Sequence, residues 1–281
     1  MSIPDRQVID IGQGPAVVFA HGTAADRTMF APQLEALADN RRLIAYDSRS
    51  RTSAAFTPYG LHDLARDCRD LLDERGIERC VLAGMSMGGF MGVVFALTYP
   101  ERLAGLVMMS ADLAAYPPER LTTVTADFDR LDRDGPVGRD WAEWSMPLCL
   151  GATTIRENPA LVECFIAGRA ALPARAVQIE ARSWLAKPDR HADAARIAVP
   201  VLIVHGAEDA LLPYDQKVPP MLAAFPNAQA ARIERAGHFA NLERPEAVNA
   251  AMAGFLGQTG VVAARYRGAK THGARCRQII S

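Results

Sequence analysis

The chain has 281 residues, 49% of them hydrophobic and 22% charged, with a formal net charge of -1. This balance supplies a substantial core and excludes a disordered or fibrous chain. The near-neutral charge excludes the basic field that would draw the whole protein to nucleic acid or an anionic membrane. No apolar run approaches the roughly 18 residues of a membrane span, and the opening segment Met1 to Arg6 lacks the apolar stretch of a signal peptide, so a cytoplasmic protein without a membrane or nucleic-acid partner is expected. The five cysteines, Cys68, Cys80, Cys149, Cys164 and Cys276, are widely spaced in no metal-binding pattern, which predicts free or structural thiols and neither a metal nor a cofactor.

Taken in chain order, Gln7 to Ile11 alternates and breaks at Gly12, as a strand ending in a turn does. Ala16 to Ala20 is apolar throughout, which is the signature of a strand covered on both faces, and His21-Gly22-Thr23 follows it. A helix is predicted from about Met29 to Ala38, then a strand over Leu43 to Tyr46 ending at Asp47. From His62 or Asp63 to Arg75 the apolar residues Leu64, Cys68, Leu71 and Leu72 share one helical face, and Gly76 closes the helix. Cys80 to Ala83 reads as a strand, Met87 to Tyr99 as a helix stopped by Pro100, and Leu103 to Met109 as the next strand.

From Leu113 to Arg196 the rhythm changes to prolines, aromatics and helical stretches without a convincing strand, which predicts an inserted helical lid. Alternation resumes with a strand over Val199 to His205, a helix from Asp215 to Ala224, a strand over Ala230 to Glu234 and a helix from Pro245 to Leu256. Alternating strands and helices of these lengths build a mostly parallel twisted sheet flanked by helices. The predicted organisation is an α/β core from residues 1–112 and 197–257, a lid from 113–196, and a tail from 258–281. That tail carries five Lys or Arg and no Asp or Glu, the composition of a disordered extension.

Between the strand at Cys80 and the helix at Met87 lies Gly84-Met85-Ser86-Met87-Gly88-Gly89. A serine at a sharp strand-to-helix turn needs glycines around it, because the backbone is strained and closely packed, and the turn leaves the hydroxyl exposed. By chance a Gly-x-Ser-x-Gly occurs in a chain this long about one time in ten, and a capping serine in a glycine-rich turn would look the same. An acid and a base separate the two readings. Loops at the carboxyl ends of parallel strands converge, and there the chain offers Asp209 in Gly206 to Pro213, then His238 in Ala236 to Phe239.

The succession Ser86, Asp209, His238, with the His21-Gly22 loop and the run Gly237 to Pro245, resembles the α/β-hydrolase superfamily over residues 7–256. The resemblance implies an α/β-hydrolase fold in which Ser86 is the nucleophile, His238 its base and Asp209 the residue orienting His238. It also implies an oxyanion hole from the backbone N–H groups of Thr23 and Met87. Asp112 and Glu208 are rival acids, His21 is expected to hold its loop, and His205 and His62 are expected to be structural or surface residues. One departure stands out: where many relatives continue Asp-Arg-Gly-x-Gly, this chain has Asp47-Ser48-Arg49-Ser50-Arg51-Thr52-Ser53.

For substrate contacts the lid offers Trp141, Trp144, Met146, Leu148, Phe165 and Trp184 as an apolar roof and Arg182 as a carboxylate partner, with Phe239 beside the base; the same residues could instead pack the lid on the core. Lid layout is similar to the branch containing 3-oxoadipate enol-lactonases and small esterases. The resemblance therefore implies a serine hydrolase of a small ester or lactone. A carbon–carbon hydrolase of vinylogous diketones and a non-hydrolytic ligand-binding protein of this fold are the alternatives.

Overall fold

Seven strands form one sheet in the computed structural model, which describes residues 7–52, 57–131 and 134–259. In chain order the elements are β1 (Val8–Gly12), β2 (Ala16–Ala20), α1 (Ala31–Leu37), β3 (Arg42–Tyr46), α2 (Leu61–Glu74), β4 (Cys80–Met85), α3 (Met87–Thr98) and β5 (Leu103–Met109). Six helices follow: α4 (Pro118–Asp129), α5 (Arg139–Cys149), α6 (Ala152–Glu157), α7 (Pro159–Ala170), α8 (Ala174–Leu185) and α9 (His191–Ala194). The chain then returns through β6 (Val201–Gly206), α10 (Tyr214–Ala224), β7 (Ala228–Ile233), α11 (Ala240–Glu243) and α12 (Pro245–Gln258).

The strand order is β1-β3-β2-β4-β5-β6-β7, with β1 antiparallel to β3 and every other pairing parallel. Every residue of β2, β4, β5 and β6 is buried, because helices cover both faces. Alternate residues feed two cores. Val18, Leu82, Leu106 and Ile203 pack with Leu64, Leu71 and Phe95 on one face, while Phe19, Val81, Val107 and Val204 pack with Leu34, Met252 and Phe255 on the other. The predicted buried stripe of α2, Leu64, Cys68, Leu71 and Leu72, lies in the first core.

Two boundaries differ from the sequence expectation. The helix predicted from Met29 begins as a 3-10 turn over Arg27–Phe30, and the α-helix starts only at Ala31, with Pro32 in its first turn where a missing N–H costs nothing. The last strand starts two residues early, at Ala228, because an edge strand with partly exposed residues carries little apolar signal. Between β5 and β6 the described chain is helical, with a third small core of Leu131, Val137, Trp141, Ala174 and Val177. Among the described residues, no helix is long and apolar enough to cross a membrane. The basic tail from residue 260 onward, with Cys276, lies outside the described residues.

Candidate active site

The turn between β4 and α3 puts Ser86 at φ 49° and ψ -110°, a left-handed backbone that a non-glycine residue adopts only when its surroundings hold it there. Its N–H donates to Met109 O of β5 at 2.8 Å and its carbonyl accepts from Phe90 N at 2.9 Å. The flanking glycines make the turn possible by close approach: a Cβ on Gly84 would stand 2.2 Å from Gly88 O, and one on Gly88 2.1 Å from Ala20 O. Such distances are closed to any side chain.

Asp209 and His238 meet across the ends of β6 and β7. His238 Nδ1 lies 2.8 Å from Asp209 Oδ2, and the His238 N–H donates to Cys149 O at 2.9 Å. The other carboxylate oxygen, Oδ1, accepts from Leu211 N at 3.0 Å and Leu212 N at 2.9 Å. Burial opposes ionisation of Asp209, but the charge and hydrogen bonds of His238 and His205 outweigh it and hold its carboxyl well below the usual carboxylate range. Among the described residues no hydrogen bond joins Ser86 to His238, and His238 Nε2 has no partner.

The loop bearing His238 is fixed by a buried carboxylate. Glu243 accepts from Gly237 N at 2.9 Å and from Gly151 N at 2.8 Å, tying the loop to the start of α6. His205 is fully buried, its Nε2 2.6 Å from Leu212 O and 3.2 Å from Asp209 Oδ2. The rival acids are engaged elsewhere. Asp112 pairs with Lys187 at 2.8 Å and Lys217 at 2.9 Å, and Glu208 accepts from Thr153 N at 2.8 Å and Thr153 Oγ1 at 2.5 Å.

Thr23 follows β2, and its backbone N–H makes no hydrogen bond among the described residues. Met87 is the first residue of α3, so its N–H has no acceptor within its own helix. His21 is wholly occupied: its Nε2 accepts from Ser48 N at 2.9 Å, which leaves Nδ1 as the donor to Gly22 O at 2.8 Å.

The sequence profile of the alpha/beta hydrolase fold family matches residues 15–245, most of the chain. The chain belongs to this family. Among its relatives is a protein of Stutzerimonas stutzeri named as the carbamate hydrolase RutD, 28% identical over 254 residues that span 89% of this chain and 95% of the relative. The 3-oxoadipate enol-lactonase 2 of Acinetobacter baylyi is 26% identical over 241 residues, 85% of this chain and 87% of that one. A thermophilic esterase from Thermogutta terrifontis, solved with malate bound, superposes with a TM-score of 0.85 at 29% identity, covering 90% of this chain and 93% of that one.

In this hydrolase the expected roof residues divide. Trp184 donates Nε1–H to Thr23 Oγ1 at 2.7 Å and packs on Phe90, Tyr116 and Phe128, so it touches the loop after β2. Phe239 stacks edge-on with Phe165 at 4.9 Å beside the His238 ring at 5.8 Å. Met146 is half-buried against the second core. The remaining candidates lie elsewhere. Trp141 belongs to the small core within the helical segment, its Nε1–H given to Asp127 O. Trp144 is 36% exposed beneath Arg130. Arg182 is half-exposed, pairs with Asp129 at 2.9 Å and lines a cavity on the α3 side.

Arg169 and Glu180 are among the buried charges that escaped the sequence reading. Arg169 of α7 is 7% exposed and stacks on Phe165, Trp141 and Phe239 at 4.8, 5.5 and 5.9 Å. Its Nη1 donates to Cys149 Sγ at 3.3 Å, its Nε has no partner, and no carboxylate pairs with it among the described residues. Glu180 of α8 is fully buried against the departing loop, where Ser50 Oγ at 2.5 Å, Ser48 Oγ at 3.4 Å and Arg51 Nη2 at 3.1 Å all reach it. Nothing in a helical apolar pattern marks either residue as a buried charge. The cavity on the α3 side, of about 180 Å³, is lined by His62, Phe90, Asp112, Arg182 and Lys187, and not by Ser86 or His238.

Proposed function

We propose that this protein is a serine hydrolase that cleaves a small carboxylic ester or lactone through an acyl-Ser86 intermediate. The observation that carries the reading is the left-handed serine at φ 49° on the same strand-end edge of the sheet as the 2.8 Å Asp209–His238 pair. Ser86 Oγ attacks the carbonyl carbon as its proton passes to His238 Nε2, and the carbonyl oxygen becomes an oxyanion. The N–H groups of Thr23 and Met87 receive that charge. Collapse breaks the carbon–oxygen bond of the ester, and the leaving oxygen takes the proton from His238. Water then attacks the acyl-serine with His238 again as base, releasing the acid and restoring Ser86. Asp209 stays ionised throughout and stabilises the imidazolium.

The substrate is a small molecule bearing a carboxylate, and Arg169 is its partner. An unpaired buried guanidinium with Nη1 occupied leaves the Nε and Nη2 edge for a planar anion. The malate held by the Thermogutta esterase is an anion of that kind, which supports the choice. The helical segment 113–196 acts as the lid, and the protein works in the cytoplasm without a nucleic-acid or membrane partner. The same acyl-serine chemistry would cleave a carbamate, the substrate class in the RutD name.

Labelling with a fluorophosphonate tests the nucleophile. Wild type is expected to label at one site and Ser86→Ala at none, and unchanged labelling of the variant refutes the reading. A panel of 4-nitrophenyl esters, lactones, carbamates and vinylogous diketones then identifies the bond cleaved.

A further inference from the structure

We propose that Glu180 is a positioning residue for the oxyanion hole, through which the helical segment sets the geometry of the Thr23 amide. The inference rests on the proposed role of that amide. It grows from the loop that departs from the common superfamily motif, Ser48 to Thr52, and from a buried carboxylate whose partners all lie there or next to Thr23.

The carboxylate of Glu180 works on both sides of the strand end. Oε2 accepts the Ala24 N–H at 2.9 Å, while Oε1 accepts Ser50 Oγ at 2.5 Å and Ser48 Oγ at 3.4 Å, and the two hydroxyls lie 2.7 Å apart. Arg51 supplies the compensating cation at 3.1 Å, so the charge is paired in a site where an unpaired carboxylate would be costly. Ser48 also passes its N–H to His21 Nε2 at 2.9 Å, and His21 in turn donates to Gly22 O at 2.8 Å.

Thr23 is therefore held from both neighbours. Gly22 is reached through Ser48 and His21, and Ala24 directly by Glu180. One turn further along α8, Trp184 grips the Thr23 hydroxyl at 2.7 Å. Ala24 stands at φ 55°, which an alanine does not choose for itself. The Gly22 carbonyl and the Thr23 N–H share one peptide plane, and the Ala24 N–H lies in the next, so the His21 bond to Gly22 O and the Glu180 bond to Ala24 N hold the planes on both sides of the Thr23 Cα. Here Ser48, Ser50 and Arg51 form a matched set with Glu180.

The test uses hydrolysis of 4-nitrophenyl acetate, inhibition by phenylboronic acid, which forms a tetrahedral adduct on the serine, and fluorophosphonate titration to count competent sites. Per titrated site, Glu180→Ala is expected to lower kcat by ~10- to 100-fold, less than loss of a direct oxyanion donor. KM should change little, because the lost interaction belongs to the transition state. Boronate inhibition should weaken by the same factor as kcat/KM. Glu180→Gln, which keeps an acceptor for Ala24 N–H, is expected to recover most of the loss.

Ser50→Ala removes one buried hydroxyl while Ser48, Arg51 and Ala24 N still hold Glu180, so it should fold, with a loss of a few fold in both kcat and boronate affinity. A merely structural role predicts a lower Tm and fewer titratable sites, with kcat per site and boronate affinity unchanged. That pattern in Glu180→Ala, or in Ser50→Ala where the former does not fold, overturns the proposal. Wild-type turnover in Ser86→Ala would overturn the serine reading and this inference together, whereas an inactive Ser86→Ala beside unaltered Glu180 variants would remove this inference alone.

Discussion

Arg169 gives the sharpest separation between a residue kept for function and one kept for stability, and Arg169→Met is the substitution that measures it. Arg169 is 7% exposed, and among the described residues the one hydrogen bond of its guanidinium goes to a neutral sulfur, Cys149 Sγ, at 3.3 Å. Removing such an ion from water costs several kcal/mol. Its three aromatic contacts offset about 0.5–2 kcal/mol each, so the folded protein comes close to break-even on this side chain. Methionine fills a similar space among Trp141, Phe165 and Phe239 without a charge to bury. Stability should therefore move by no more than about 1 kcal/mol, a few degrees in Tm for a chain of this size. Loss of a charged hydrogen-bonding partner for the substrate costs roughly 1.5–3 kcal/mol, or about 10- to 150-fold in kcat/KM.

The assay compares the 4-nitrophenyl monoester of adipic acid with 4-nitrophenyl hexanoate, which share chain length and differ in the terminal carboxylate. Arg169→Met should lose activity on the first and keep it on the second. Equal losses on both esters would refute the carboxylate role, and a fall in Tm of more than about 8 °C would show that the guanidinium is a packing element.

Asp209→Asn keeps an oxygen for the Leu211 and Leu212 N–H groups but turns an amide toward His238 Nδ1, so turnover should fall by up to ~10⁴-fold with the fold retained, read by steady-state kinetics and circular dichroism. Folding lowers the Asp209 pKa, so near that group the unfolded chain binds more protons than the folded one. Its contribution to stability is complete above the ordinary aspartate value of about 4 and is lost as pH falls below it; acid titration of Asp209→Asn should show a shallower loss. Gly88→Ala brings a Cβ to 2.1 Å from Ala20 O and should abolish soluble folded protein, while Gly254→Ala in open space on α12 should raise stability by roughly 0.5–1 kcal/mol in urea denaturation. Iodoacetamide should modify exposed Cys164 in the folded protein and leave buried Cys68, Cys80 and Cys149 untouched until denaturant is added, as burial pushes the Cys80 and Cys149 thiols up.

What the sequence discloses follows from which forces have a period. Strands covered on both faces read as unbroken apolar runs, and β2, β4, β5 and β6 were legible for that reason. The stripe of α2 was legible because its buried residues repeat at helical spacing. β7 was displaced because an edge strand repeats neither pattern. The meeting of Asp209 with His238 was legible from chain order and the convergence of strand ends, and the 2.8 Å contact is the geometric form of that convergence.

Contacts inside the helical segment have no such period, because helices joined by irregular loops can bury several alternative faces. Arg182 and Arg169 illustrate this. Each stands among apolar neighbours in a helix, yet Arg182 meets Asp129 at the surface and Arg169 is turned among three aromatic rings. Glu180 is the more instructive case, since its counterpart was in view: the loop Ser48 to Arg51 was recognised as a departure without a reason. A serine at the first expected glycine, with Ser48 and Arg51 beside it, meets a buried carboxylate supplied from ~130 residues away, a separation over which no local rule operates. A departure from a family pattern at a buried loop thus has to be read with the residue that faces it, and that residue is found in the fold.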